Sequence, residues 1–212
     1  RRAKRKGALK LKYLAIDTSG DLIVSAANGQ TKALRYLKGC TSQHSLTLMP
    51  DIEECLIECK LGLSELDFIA AVTGPGSFTG IRIGVSTVKA LCFSANVKAL
   101  SLTSFDCLAY DNSATNKCFC VIDANHDNYY CAAYIDKKIS VNPCFLTKTQ
   151  VTEMSRGYTV IASKELPFEN SVVADLPSGL ENAVNALCEN AGGYDTISPL
   201  YVKRSQAEEE SC

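Results

Sequence analysis

Residues Phe68 to Leu102 read FIAAVTGPGSFTGIRIGVSTVKALCFSANVKALSL. The apolar run Phe68–Val72 predicts a fully buried strand, Thr73-Gly74-Pro75-Gly76 a turn, Ser77 to Ala95 a helix, and Val97 to Leu102 a second strand. At 100° per residue, Arg82, Ser86 and Lys89 fall in one narrow sector of that helix, and apolar or small side chains span roughly 240° of the rest. Such a helix is covered on two sides: one lies on its own sheet, and the other, centred on Gly80, Gly84 and Thr87, invites a second backbone to approach. In a chain of this size the expected second backbone is another protein.

A Gly-rich turn before a helix also suggests an anion cradle, because free N–H groups and the positive end of the helix dipole converge there. The spacing argues against it. A phosphate loop needs GxxxxGK[ST], whereas Gly80 is followed by Ile81-Arg82, and Gly74, Gly76 and Gly80 are one residue too wide for GxGxxG.

Upstream, Lys12–Asp17, Asp21–Ala27 and Gln30–Leu37 predict an antiparallel meander, with Asn28-Gly29 as a two-residue hairpin turn. A helix from His44 to Lys60 follows, capped by Thr41 or Ser42. Leu48, Ile52, Cys55, Leu56 and Cys59 lie on one stripe, and Pro50 requires a kink or a restart. His44 reads as a polar residue bonding a neighbouring backbone rather than as a base. Thr103–Tyr110 is a short helix, and Asp111–Asn116 is the most loop-like segment of the chain. Beyond it the pattern restarts: strands Lys117–Asp123, Asn128–Asp136 and Ile139–Leu146, helix Thr149–Ser155, strand Tyr158–Ser163, helix Ser178–Asn190. Asp17 and Asp123, each closing an Ile-Asp strand end, stand half a chain apart. The expected architecture is a duplicated βββαβα α/β fold in two subdomains, 12–111 and 112–212, with 1–11 as a basic tail that is solvated or foreign to the native protein.

Of the 22 basic residues, seven lie within the first twelve, which leaves 15 against all 23 acidic residues and a body of net charge −8. An acidic body does not by itself grip nucleic acid. No apolar run is long enough to span a membrane, and no apolar stretch follows the basic start as a secretory signal would. The 11 cysteines form no CxxC pair and sit mostly in apolar runs, as small buried hydrophobes of a reducing cytoplasm do. Cys55 and Cys59 share a helical face with His44, but at 1.5 Å per residue His44 lies about 16 Å from Cys55, too far for one ion.

Two βββαβα halves resemble the actin-like, sugar-kinase-like (ribonuclease H-like) superfamily. Leu14–Ser19 (LAIDTS), His44-Ser45 followed by Leu48 and Pro50, Thr73–Leu91 (TGPGSFTGIRIGVSTVKAL) and Pro199–Arg204 resemble, more narrowly, the bacterial TsaB (YeaZ) proteins; Asn112–Ser198 carries little that matches. The resemblance implies a non-catalytic cytoplasmic scaffold without catalytic, metal or cofactor residues of its own. It would pair with a catalytic paralogue of the TsaD type, which carries ATP and metal, alongside a TsaE-type ATPase, and would meet tRNA only through the complex that makes threonylcarbamoyladenosine. Separately from the resemblance, a face of Gly80, Gly84, Thr87 and Leu91 costly to leave in water predicts a homodimer of the isolated chain through that surface. The implied interface is His44, Leu48, Ile52, Gly76, Phe78, Gly80, Ile83, Gly84, Thr87 and Leu91. Asp17, Thr18, Ser19 and Asp123 would be vestiges of a nucleotide site, since Asp17-Thr18-Ser19-Gly20 departs from the superfamily's Asp-x-Gly loop and Asp123–Asp127 has no glycine. A small kinase using Asp17 and Asp123 is the competing expectation. A glycoprotease-like metallopeptidase is a distant third, for want of a second histidine four residues from either His44 or His126.

Overall fold

Strands β1 (Tyr13–Asp17) and β4 (Phe68–Val72) run parallel at the centre of a five-stranded sheet, with Leu14 beside Ile69 and Ala15 beside Ala70. All ten residues are buried, as strands covered on both faces must be. In this computed structural model, residues 11–39 and 44–202 are described. The basic tail through residue 10 and the expected caps Thr41 and Ser42 lie outside them. Strand β2 (Leu22–Ala27) extends the sheet antiparallel to β1 and β3 (Lys32–Leu37) antiparallel to β2, while β5 (Lys98–Leu102) extends it parallel to β4, in the order β3-β2-β1-β4-β5. The β2–β3 connection is longer than the expected two-residue turn. Ala27 pairs with Lys32, and the Asn28 carboxamide accepts the N–H groups of Gln30 and Thr31.

Helices α1 (His44–Cys59) and α2 (Phe78–Ala95) lie side by side on one face of this sheet. Leu48, Ile52, Cys55 and Cys59 pack there with Ile81, Val85, Val88 and Cys92. Pro50 sits within α1 without ending it. Ser77 caps α2, its hydroxyl accepting from Gly80 N at 3.2 Å, and Asn96 closes the helix in the left-handed region.

The second sheet repeats the first. Strands β6 (Lys117–Asp123), β7 (Asn128–Ile135), β8 (Lys138–Thr147), β9 (Thr159–Ala162) and β10 (Ser171–Val173) lie in the order β8-β7-β6-β9-β10, the same relative order as in the first half. Helix α4 (Lys148–Met154) follows β8 as α1 follows β3. The repeat is incomplete, however. Between β9 and β10, where α2 stands in the first half, residues 163–170 form no helix. Helix α5 (Leu176–Leu187) follows β10 and therefore corresponds to α3 (Ser104–Ala109), not to α2 as the sequence order suggested.

These two helices join the halves. Phe105 and Leu108 of α3 pack on the second sheet with Cys118, Cys120 and Ile161. Leu180, Ala183 and Val184 of α5 pack on the first with Tyr13, Ala15 and Ala70. Gly179 lets α5 touch the Cys107 carbonyl, 2.1 Å from where a Cβ would stand. The described cysteines carry free thiols, and burial pushes those of Cys55 and Cys92 up to about 11, as expected of thiols used for packing. Among the described residues no helix is long and apolar enough to cross a membrane.

Candidate functional sites: an acidic cleft and an apolar helix face

The carboxyl ends of β1 and β6 meet across a cleft of about 500 Å³ between the halves. Asp17 and Asp123 both line it and make the same local bond: Asp17 Oδ1 accepts from Ser19 N at 2.8 Å, and Asp123 Oδ1 from Asn125 N at 2.8 Å. Each is thus an Asx turn closing a strand. Their electrostatics differ. Asp17 is buried, and burial raises its carboxyl above the usual range despite the bonds from Ser19. Asp123 is also pushed up by burial, but bonds from Lys164 and Asn125 N outweigh this and hold it below that range; the Lys164 ammonium stands 2.7 Å from Asp123 Oδ2.

The rest of the cleft is lined by small polar groups. Ser104 donates to the Pro75 carbonyl at 2.8 Å and lies 3.1 Å from the Ser19 hydroxyl. In place of a glycine loop, Asn125, His126 and Asp127 all adopt positive φ. A nucleotide-bound metal fits this arrangement poorly, because burial shifts one carboxyl toward its neutral form and the other already faces a lysine. Among the described residues no three His, Cys, Asp or Glu side chains are grouped to hold an ion.

The helix face departs from expectation at its glycines. A Cβ on Gly80 would stand 2.0 Å from the Thr18 carbonyl oxygen, one on Gly84 2.3 Å from Thr18 Oγ1, and one on Gly76 2.2 Å from the Ser19 carbonyl oxygen. The close-approaching backbone is this chain's own β1–β2 turn, held by Thr18 Oγ1 donating to Gly80 O at 2.7 Å and by Ser77 N donating to Ser19 O at 2.6 Å. Gly80 and Gly84 are therefore filled from within and unavailable to another molecule. His44, Leu48 and Ile52 also face inward, at 1–2% exposure. Of the expected interface residues, Phe78 is exposed, and Ile83, Thr87 and Leu91 are half-buried.

The outward apolar residues are others. Leu46 is 74% exposed, Ile57 67% and Met49 51%. With Pro50 and Glu53 they form one sector of α1 directly opposite its buried stripe. The sequence does carry this signal: apolar residues at positions 46, 49, 50 and 57 are off the inward face of the helix. Beside the cleft, Arg82 lies 3.7 Å over the Phe78 ring and donates to the Tyr201 hydroxyl at 2.8 Å. Leu200 N donates to Thr73 O at 2.8 Å, so the segment at 199–201 fastens to the turn preceding α2. Lys164 and this fastening are legible only in three dimensions.

Comparison with known proteins agrees with this architecture. A family model described as TsaD, tRNA N6-adenosine threonylcarbamoyltransferase, matches residues 38–157. The tRNA threonylcarbamoyladenosine biosynthesis protein TsaB of Bacillus subtilis is 34% identical over 97 residues, covering 45% of this chain and 42% of that one. The protein of the same name from Haemophilus influenzae is 28% identical over 132 residues, covering 61% and 56%. The chain thus spans about half the length of these curated relatives. The solved structure of YeaZ from Pseudomonas aeruginosa superposes with a TM-score of 0.72 at 22% identity, over 90% of this chain and 99% of that one, and so shares its fold. With an actin-like fold of two subdomains and a TsaD-type domain over more than half its length, the chain belongs to the TsaB/YeaZ family.

Proposed function

We propose that this chain is a scaffold subunit that docks a TsaD-type enzyme through the outward faces of α1 and α2 and so supports threonylcarbamoyl transfer to an adenosine of tRNA. The observation carrying this reading is the apolar stripe Leu46, Met49 and Ile57, which the chain leaves in water. At ~25 cal/mol per Å² such a stripe favours a covering partner. Ile83, Thr87 and Leu91 of the neighbouring helix extend it. ATP and metal belong on the partner, a TsaE-type ATPase joins the assembly, and tRNA is met through the complex, in keeping with the body charge of −8. Alone, the same face pairs two copies of the chain, so homodimer and heterodimer compete for it.

The test is Leu46→Glu with Ile57→Glu. Each buried aliphatic side chain contributes about 1.5–3 kcal/mol, so the double variant should bind a TsaD-type partner at least about a hundredfold more weakly while keeping its melting temperature. The mixture should also lose tRNA modification. Co-elution with the partner at wild-type affinity overturns the assignment of the face.

A further inference from the structure

Both ring nitrogens of His44 are buried and neither makes a hydrogen bond of regular geometry, although the Gly20 backbone lies close enough to favour a proton there; the side chain is only 1% exposed. The imidazole fills the space that Gly80 leaves open, its Nδ1 3.2 Å from where a Gly80 Cβ would stand. It is the first residue of α1 and lies against the first turn of α2, so the positive ends of two helix dipoles converge on it and disfavour a cation.

We infer that His44 is a proton-operated catch between the two docking helices: neutral, it seats the first turn of α1 on Gly80 and the β1–β2 turn; protonated, it leaves the interior and frees that turn. Burial lowers its affinity for a proton, the Asp21 carboxylate and the Gly20 backbone only partly opposing this. Of the groups around it, the Asp21 carboxylate opposes this direction and burial outweighs it. From the β1–β2 turn comes Asp21, whose carboxylate already accepts from Tyr36 Oη and Gly39 N. Asp17 of β1 holds Ser19 N and favours its neutral form. From α2 come Gly80 and the Ser77 hydroxyl, both uncharged. On α1 itself the nearest acid on that side is Asp51, two turns away, whose carboxyl burial likewise pushes toward the neutral form. On the β3 side Lys38 lies over the Tyr36 ring.

Because the folded chain holds His44 neutral, the seating is complete above pH ~6.5, the ordinary imidazole value. It weakens as the pH falls below that value, where the unseated state takes up the proton. Leu46 stands on the turn that is freed and Met49 on the next one, so docking should weaken over the same window. This consequence rests on the docking reading above, whereas the catch does not.

Hydrogen exchange of the isolated chain, corrected for intrinsic rates, tests the catch without any partner. Amides of residues 45–50 should exchange about tenfold faster at pH 5.5 than at pH 7.5 relative to those of α2, and His44→Gln should abolish this difference. Equal protection at both pH values in the wild type, or the same pH dependence in His44→Gln, overturns the inference. Should the variant not fold, the wild-type imidazole titration followed by NMR decides: a midpoint below ~6.5 is expected, and one at or above it overturns the catch.

Discussion

Gly80→Ala tests whether the glycines of α2 are occupied from within. The added Cβ would stand 2.0 Å from the Thr18 carbonyl oxygen, a backbone atom that cannot rotate aside, and 3.2 Å from His44 Nδ1. Relieving the overlap means lifting the β1–β2 turn off the helix, which costs up to about 3 kcal/mol as an overpacking strain. It also breaks the bond from Thr18 Oγ1 to Gly80 O, worth about 1 kcal/mol. Against this, alanine gains about 1 kcal/mol of helix propensity over glycine. The net loss is about 3 kcal/mol, or about 6–12 °C in melting temperature for a chain of this size, read by thermal and urea unfolding of the isolated protein. Gly84→Ala supplies the control, because its obstacle is the Thr18 side chain. It should be costly alone and nearly neutral when combined with Thr18→Ala, whereas Gly80→Ala should stay costly in that background. A Gly80→Ala variant that melts at or above the wild-type temperature refutes an internal filling of this face.

Asp17→Asn should raise the melting temperature at pH 7. The folded carboxyl binds its proton more tightly than the unfolded one, so native stability declines as pH rises above the unfolded value near 3.9 toward the folded one; a lower melting temperature would show that the charged form is favoured. Lys164→Met should cost less than about 1 kcal/mol in urea unfolding, since the pair with Asp123 is partly exposed, while releasing the Asp123 carboxyl upward; a larger loss would make the pair a structural tie. Gly179→Ala should separate α5 from α3 and cost about 1–3 kcal/mol, and an unchanged unfolding midpoint would contradict that packing.

The buried strands and α2 were legible in the sequence because apolar runs and a cap-and-glycine frame carry them locally. Periodicity also placed Gly80 and Gly84 on one face of α2, but it says nothing of what covers that face. The chain's own turn does so from 62 residues away, through Thr18. The same limit inverted the reading of α1. The stripe of Leu48 and Ile52 is the stronger pattern, and the resemblance assigns it to a partner, yet the weaker pattern of Leu46, Met49 and Ile57 is the one left outside. Asp17 and Asp123 were recognisable as equivalent strand ends from their spacing. The opposite directions in which their carboxyls shift depend on Lys164 and on burial, which no spacing reveals. Strand β10, only three residues long, lies below what alternation can detect.

The missing helix between β9 and β10 leaves the two halves with unlike surfaces. Two complete halves would offer two similar apolar faces related by the internal repeat, and head-to-tail contacts between such faces propagate into open filaments. With a loop at 163–170 in place of the second helix, only one half retains a paired-helix surface among the described residues. Under the docking reading proposed above, a contact through this face uses one paired-helix surface and ends in a closed pair, so losing a helix would suit an actin-like frame to a discrete assembly rather than a polymer.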